Sequence, residues 1–306
     1  MRSMTKVMQR VREDHGKAAD VAAWPGEMLV ELPGESVVLD EPASESRFVT
    51  ADGSATDSVP PPSLLPVDDH TVAWDAALVD PVLVAFHDRY SAICEQYRAV
   101  RARLLTMNPQ RTAQVIAITS SVPAEGKSVS TVNLGLVMAE GGEQRIVIAD
   151  ADFRRASLAR MLGVAGAPGL AEVLRGEVGL NEALQATPYP NFKLLPAGEV
   201  GDQAYGDLLG GTNTSHALEE LRSRFDYTFV DTPPVTTVSD ACLLAPHCDG
   251  AIMVIKMCAT PEPTVQQAVR ALQANNVKVL GCLLSQFRQG GTGYYAHYYS
   301  SSYYRR

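Results

Sequence analysis

One short segment of this 306-residue chain carries side chains suited to phosphate chemistry. It reads Ser121-Val-Pro-Ala-Glu-Gly-Lys-Ser128 and lies between an apolar run and a helical pattern. Backbone amides at such a helix start bind phosphate oxygens, while a lysine and a hydroxyl at this spacing reach the terminal phosphates and Mg²⁺. A chance Gly-Lys-Ser in an ordinary turn is the alternative, since Ser121 replaces the first glycine of the strict pattern. The predicted ATP-binding P-loop residues are Ala124, Glu125, Gly126, Lys127, Ser128 and Val129.

Three aspartates follow two further apolar runs. Asp150 and Asp152 end one run, and Asp231 ends another. Because a parallel sheet gathers the carboxyl ends of its strands at one edge, these side chains should meet beside the P-loop. A single strand-end aspartate is often a helix cap, but three on one edge favour a functional site. Mg²⁺ prefers oxygen ligands and keeps several waters, so we expect Ser128, Asp152 and Asp231 to hold it, partly through water.

Two cationic side chains near these aspartates are candidates for contacting phosphate. Lys127 would neutralise phosphate charge, which is the main demand of phosphoryl transfer. Arg154 could contact phosphate or pair with a carboxylate, and the sequence leaves both open.

The C-terminal end of the chain is rich in tyrosine. It holds six of the eleven tyrosines, among glycines that make a flexible tether and serines that keep the rings solvated. An adhesive low-complexity end is the alternative to a segment of phosphoacceptors. The candidate phosphoacceptors are Tyr294, Tyr295, Tyr298, Tyr299, Tyr303 and Tyr304.

Short apolar runs alternate with helical patterns along the rest of the chain. The predicted strands are 114–120, 145–150, 192–197, 227–231, 250–257 and 277–285. Helical patterns cover 128–140, 215–224 and 261–275, and one long amphipathic helix is predicted from Asp80 to Met107. This alternation predicts an α/β fold, with a parallel sheet covered by helices on both faces.

Composition divides the chain into three parts. Residues 1–78 contain seven prolines and, apart from Glu27–Leu32, no sustained periodicity, so we expect a mostly disordered acidic leader. Residues 79–288 would form the catalytic domain and 289–306 the flexible tail. The first 80 residues hold 15 acidic against 6 basic side chains, and the remainder holds 20 of each. Residues 81–306 therefore lack the excess of basic side chains that is typical of a nucleic-acid-binding protein.

Cysteine usage and hydropathy bear on the location of the chain. Five cysteines without a CxxC pair argue against disulfides or a zinc site and favour a reducing cytoplasm. No apolar run reaches the roughly 18 residues of a membrane span. Membrane association is therefore expected only through a partner.

Taken together, these motifs resemble the bacterial tyrosine kinases of capsular and exopolysaccharide synthesis, which have a P-loop NTPase-like fold. The similarity covers about residues 88–306 and includes Glu95-x-x-Arg98-x-x-Arg101, which looks like the family's oligomerisation motif. Steps of three residues keep these charges on one helix stripe, so a solvated face with an internal Glu–Arg pair is the alternative. The sequence departs from the family at Ala124, at Ala156 and in Gly206–Leu209, and none of these changes removes a charged catalytic group.

The resemblance implies an ATP- and Mg²⁺-dependent tyrosine autokinase. It assigns Asp150 as the base for the tyrosine hydroxyl, with Lys127, Asp152 and Arg154 beside it. It also implies a homo-oligomeric ring in which the tail of one subunit enters the site of the next, and activation by a membrane-spanning polysaccharide co-polymerase.

Two other classes compete with a kinase. Positioning and partitioning ATPases share the strand-end aspartates, but they carry a signature lysine where this chain has Val122, and they offer no reason for a tyrosine tail. A non-catalytic regulator that binds ATP to set an assembly state would use the same nucleotide site.

Overall fold

An eight-stranded sheet forms the centre of the molecule. The structure is a computed structural model that describes residues 27–31, 72–201 and 204–287. Strand order across the sheet is β1-β8-β7-β2-β6-β3-β5-β4. The strands are β1 (Glu27–Glu31), β2 (Gln114–Ser120), β3 (Ile146–Asp150), β4 (Gln185–Ala186), β5 (Phe192–Leu195), β6 (Tyr227–Asp231), β7 (Gly250–Lys256) and β8 (Val279–Phe287).

Six of these strands run parallel, and the two edge strands are antiparallel to their neighbours. The parallel strands include all six predicted from the apolar runs, within two residues at their ends. The antiparallel β1 pairs with β8, and β4 pairs with β5. The predicted parallel α/β sheet is confirmed, with two antiparallel edges that the sequence did not indicate.

Helices cover both faces of the sheet. In chain order the helices of the described segments are α1 (Val84–His87), α2 (Ala92–Met107), α3 (Lys127–Ala139), α4 (Leu158–Leu162), α5 (Leu170–Arg175), α6 (Leu180–Ala183), α7 (Tyr205–Leu209), α8 (Thr212–Arg224), α9 (Asp240–Leu244) and α10 (Glu262–Ala274), with a 3-10 turn at Ala245–His247. Alternate strand residues face opposite sides, so Ile146 and Ile148 pack in the core with α2 and α3. Val147 and Ala149 pack with α5 and α8 on the other side.

The helix predicted from Asp80 to Met107 is wrong as a single element. The chain leaves helical geometry after His87, and α2 starts afresh behind Ser91, whose hydroxyl accepts from Cys94 N at 3.3 Å and donates to Asp88 O at 2.8 Å. The apolar spacing continued across this break and hid it. Consequently Tyr90, which lies in the break between the two helices, is 85% exposed.

Helix α3 packs against the central strands of the sheet and begins with the P-loop lysine, Lys127. A side chain at Gly135 would bring its Cβ within 2.8 Å of Ile148 Cγ2, so glycine permits this close approach. Asn133, almost fully buried, accepts from Ala85 N at 2.9 Å and thereby joins α3 to α1. The helix therefore has one firmly held position relative to the strands.

Part of the predicted leader lies against the domain. Glu27–Glu31 forms the edge strand β1, and Val72 N donates to Thr187 O at 3.2 Å. The other leader residues up to 71, and the tail 289–306, lie outside the described residues. The predicted three-part division thus stays a prediction.

Candidate nucleotide and phosphoryl-transfer site

The predicted P-loop connects β2 to α3. Gly126 adopts φ +91°, and Ala124 adopts φ +64°, a left-handed conformation that glycine tolerates better than alanine. Glycine would therefore fit position 124 with less strain than the alanine found there. These turns bring the loop to the N-terminus of α3, where Lys127 and Ser128 begin the helix.

The side chain of Glu125 ties this loop to the ends of two strands. One carboxylate oxygen accepts from Val122 N at 2.9 Å. The other accepts from Lys256 N at 3.1 Å and from the hydroxyl of Thr260. Ser285 Oγ, near the end of β8, donates to the Glu125 carbonyl oxygen at 2.6 Å. The backbone of Glu125 is therefore part of the P-loop, while its side chain anchors the loop to Val122 and to the end of β7.

Two of the three carboxylates expected beside the P-loop meet at Lys127. Lys127 Nζ lies 2.7 Å from Asp152 Oδ2 and 3.3 Å from Asp231 Oδ2. Ser128 Oγ donates to Asp231 Oδ2 at 2.5 Å. The paired register of Asp150 with Asp231 across β3 and β6 brings the two strand ends together. One cation, one hydroxyl and two buried carboxylates thus share one edge of the sheet.

Asp150 is almost fully buried, at 1% exposure, as are Asp152 at 1% and Asp231 at 0%. Asp150 Oδ1 accepts from Asp152 N at 3.1 Å, and its Oδ2 accepts from Ser157 N and Leu158 N at 2.8 and 3.0 Å. A carboxylate offers about four acceptor positions, so about one remains. Burial, followed by the nearby Asp231 carboxylate, raises the pKa of Asp150 to about 7, although the backbone donors and Lys127 oppose this shift.

The charges in this cluster influence one another strongly. Burial raises the pKa of Asp231 even though Lys127 and Ser128 act to lower it. Burial also acts to lower the pKa of Lys127, but Asp231 and Asp152 more than reverse this, so its net shift is upward. The lysine stays protonated, as phosphate binding requires.

The donor set fits Mg²⁺ bound largely through water. No group of three or more His, Cys, Asp or Glu side chains in the described segments is arranged to enclose a metal ion. Mg²⁺ is commonly held by one or two carboxylates and retained waters, rather than by a complete protein cage. Asp152 Oδ2 is buried and has Lys127 as its ionic partner but accepts no well-directed hydrogen bond. Ser128, Asp152 and Asp231 are therefore suitable oxygen donors.

Similarity to known proteins agrees with this geometry. No family model matches the chain. The succinoglycan biosynthesis transport protein ExoP of Rhizobium meliloti is 30% identical over 217 residues, covering 70% of this chain but only 28% of ExoP. Tyrosine-protein kinase YwqD of Bacillus subtilis is 27% identical over 216 residues, covering 71% of this chain and 90% of YwqD. The kinase domain of the Escherichia coli tyrosine kinase ETK superposes with a TM-score of 0.64 at 26% identity, over 69% of this chain and 83% of that domain.

In sequence and in fold, the chain is similar to bacterial tyrosine kinases.

The predicted oligomerisation motif is engaged within its own chain. Arg98 donates to both carboxylate oxygens of Glu140, at 2.9 and 3.0 Å, and also pairs with Glu95. Arg101 donates to Val137 O at 2.8 Å. Glu140 directly follows α3, so the motif braces the end of the helix whose start carries Lys127. The internal Glu–Arg pair considered from the sequence is present, and a subunit interface stays a prediction.

Arg154 pairs with a carboxylate that sequence reasoning missed. Its guanidinium donates to Asp240 Oδ2 at 2.9 Å and lies 4.8 Å from the centre of the Tyr205 ring. Asp240 starts α9 and has no motif around it, so only the fold brings it to this place. Of the two roles considered for Arg154, the structure shows the carboxylate pair.

The tail tyrosines themselves lie outside the described residues, but the strand that leads to them does not. Strand β8 runs parallel to β7 and reaches the P-loop edge, where Ser285 contacts Glu125. Among the helices in the described part of the chain, none has the length and apolar character needed to cross a bilayer.

Proposed function

We propose that this chain transfers the γ-phosphoryl group of ATP to tyrosine hydroxyls, first those of its own C-terminal tail. The observation that carries this proposal is the cluster of Lys127, Ser128, Asp152 and Asp231 on the P-loop edge, which β8 also reaches. Measured from Ser285, the tail tyrosines lie at most about 30 to 65 Å out when the chain is extended. They therefore reach this site or that of a neighbouring subunit.

The side chains would divide the work as follows. The P-loop amides and Lys127 would bind the phosphates, exchanging the carboxylate partners of the lysine for phosphate oxygens. Ser128, Asp152 and Asp231 would then be available as ligands for Mg²⁺, which would neutralise charge on the transferring phosphoryl group. Arg154, held in place by Asp240, would lie near the tyrosine that accepts the phosphoryl group.

Asp150 would take the proton from the attacking tyrosine. A free tyrosine has a pKa near 10, so a base within hydrogen-bond reach helps the reaction. A pKa of about 7 suits such a base at neutral pH. Its remaining acceptor position is compatible with this role.

We further propose a cytoplasmic homo-oligomeric ring, in which Glu95, Arg98 and Arg101 contact the next subunit and the tails are phosphorylated in trans. The activating partner would be a membrane-spanning polysaccharide co-polymerase. This rests on ExoP, a named succinoglycan transport protein that includes the similar segment within one much longer chain.

Phosphotyrosine formation tests the proposal. The full chain is purified from the organism that produces it and is treated with a phosphatase. It is then incubated with ATP and Mg²⁺, either alone or with membranes of that organism, which supply the partner. We expect phosphotyrosine to form and to be lost in Lys127→Met and in Asp150→Ala, but not in Lys278→Met, which changes an exposed lysine. Undiminished signal in the first two variants, or no signal with membranes present, would overturn the proposal.

A further inference from the structure

Tyr90 is the most accessible tyrosine of the described domain. The other four tyrosines there are Tyr97 and Tyr227, at 4% and 3% exposure, and the half-buried Tyr189 and Tyr205. Tyr90, at 85% exposure, lies in the non-helical link between α1 and α2. Because a phosphoryl acceptor must bring its hydroxyl into the active site of a kinase, accessible tyrosines outside regular structure are the best substrates in a folded protein.

Two arginines stand beside the backbone of Tyr90. Arg89 precedes it, with a side chain that is 52% exposed and 3.8 Å from Glu140. Arg98 reaches back from α2 and donates to Arg89 O at 2.6 Å. A phosphotyrosine carries a charge of about −1.5 to −2 at neutral pH and is stabilised by nearby arginines. Arg98 is already paired with Glu95 and Glu140, so the half-exposed Arg89 is the arginine available to a phosphate on Tyr90.

Tyr90 lies too far from the active site of its own chain to enter it. Arg89 and Arg98 contact Glu140 at the C-terminal end of α3, whereas Lys127 begins that helix. Thirteen helical residues span about 20 Å, at 1.5 Å per residue. The link is also held at both ends, by α1 and by the Ser91 cap of α2. Tyr90 could thus be reached only by the active site of another copy.

We infer that Tyr90 is a second phosphoacceptor, modified in trans by another copy of this chain. In this step the bond between Tyr90 Oη and the γ-phosphorus of ATP forms as the bond from that phosphorus to ADP breaks. The phenolic proton passes to the base that serves the tail tyrosines. The inference rests on the proposed kinase activity and extends it from the tail to the folded domain.

A two-component reaction tests the inference with full-length chains. The donor is an active Tyr90→Phe chain, and the acceptor is a Lys127→Met chain that retains Tyr90. Trypsin cleaves after Arg89 and Arg98, so the acceptor yields a peptide of residues 90–98 that the donor cannot yield. This peptide contains exposed Tyr90 together with buried Tyr97, and fragment ions in mass spectrometry distinguish them.

We expect phosphate on Tyr90 of the acceptor and none on Tyr97. Phosphate on the acceptor's tail without phosphate on Tyr90 would overturn the inference and leave the proposed function intact. Equal labelling of Tyr97 would also overturn it, because the fold would then not select the site. If neither chain carries phosphate anywhere, the proposed function itself fails. Should the acceptor not fold, the wild-type chain labelled alone gives the same peptide, and the rate of labelling per chain at Tyr90 should then rise with protein concentration; a rate independent of concentration would overturn the inference.

Discussion

At the scale of single residues, the site depends on buried carboxylates that pair with one lysine. Lys127 pairs with Asp152 and Asp231, while Asp150 accepts hydrogen bonds from backbone donors on both oxygens. The sequence motifs named all four residues. They did not show that Asp150 would be so completely buried, because burial depends on how the loop after β3 folds back to place Ser157 and Leu158.

The burial of Asp150 predicts a pH-dependent stability. Its pKa is about 7 in the folded chain against 3.8 for the free group, so between these values only the folded state keeps the proton. Unfolding then releases a proton, and the free energy of unfolding falls as pH rises through this window. The free energy of unfolding of wild type and of Asp150→Asn is measured by chemical unfolding at pH 6 and at pH 8, both above the pI of about 5.2. The decrease from pH 6 to pH 8 should be smaller in the variant. An equal loss in both would contradict the assigned pKa.

The strained P-loop alanine predicts a stabilising substitution. Ala124 adopts φ +64°, which costs a residue with a side chain roughly 1 kcal/mol relative to glycine. Ala124→Gly should therefore raise the free energy of unfolding by up to about 1 kcal/mol. The matched control is Ala156→Gly, an exposed position without positive φ, which should be neutral or slightly destabilising. A loss of stability in Ala124→Gly would show that the loop is not strained there.

At the scale of elements, α3 connects Lys127 of the P-loop to the charged stripe of α2. The stripe was recognisable from the spacing of Glu95, Arg98 and Arg101. Its partner Glu140 was not, because nothing in the sequence pairs two helices 42 residues apart. The break between α1 and α2 was missed for a related reason: hydrophobic periodicity records which residues can be buried, whereas Ser91 and Asp88 decide where the helix starts.

The contacts of Arg98 predict a structural role besides any subunit contact. Arg98→Ala leaves the partly buried Glu140 carboxylate without its bidentate partner, and should lower the free energy of unfolding by about 1 to 3 kcal/mol. Arg103→Ala, which changes an exposed arginine of the same helix, should have little effect. Thermal unfolding checks both, at a protein concentration where sedimentation shows a monomer. Wild-type stability in Arg98→Ala, together with a lost oligomer, would mean that the residue acts only between subunits.

At the scale of the whole molecule, strand order explains why distant motifs form one site. β2, β3 and β6 are neighbours in the sheet, so the P-loop and the strand-end aspartates meet, although Asp231 lies 104 residues from Lys127 along the chain. The alternation of apolar runs and helices was enough to predict this edge. The antiparallel strands β1 and β4 were not predicted, since one lies in a polar, proline-rich leader and the other has only two residues.

The exit of β8 at the same edge connects the site to the tyrosine tail and underlies the central claim of self-phosphorylation. Intact mass spectrometry of the full chain, incubated with ATP, Mg²⁺ and partner membranes, measures this most directly. The account predicts the addition of several phosphates, most of which disappear when the six tail tyrosines are changed to phenylalanine. Consumption of ATP with no phosphate added to the chain would contradict it and would indicate a nucleotide-switched ATPase instead.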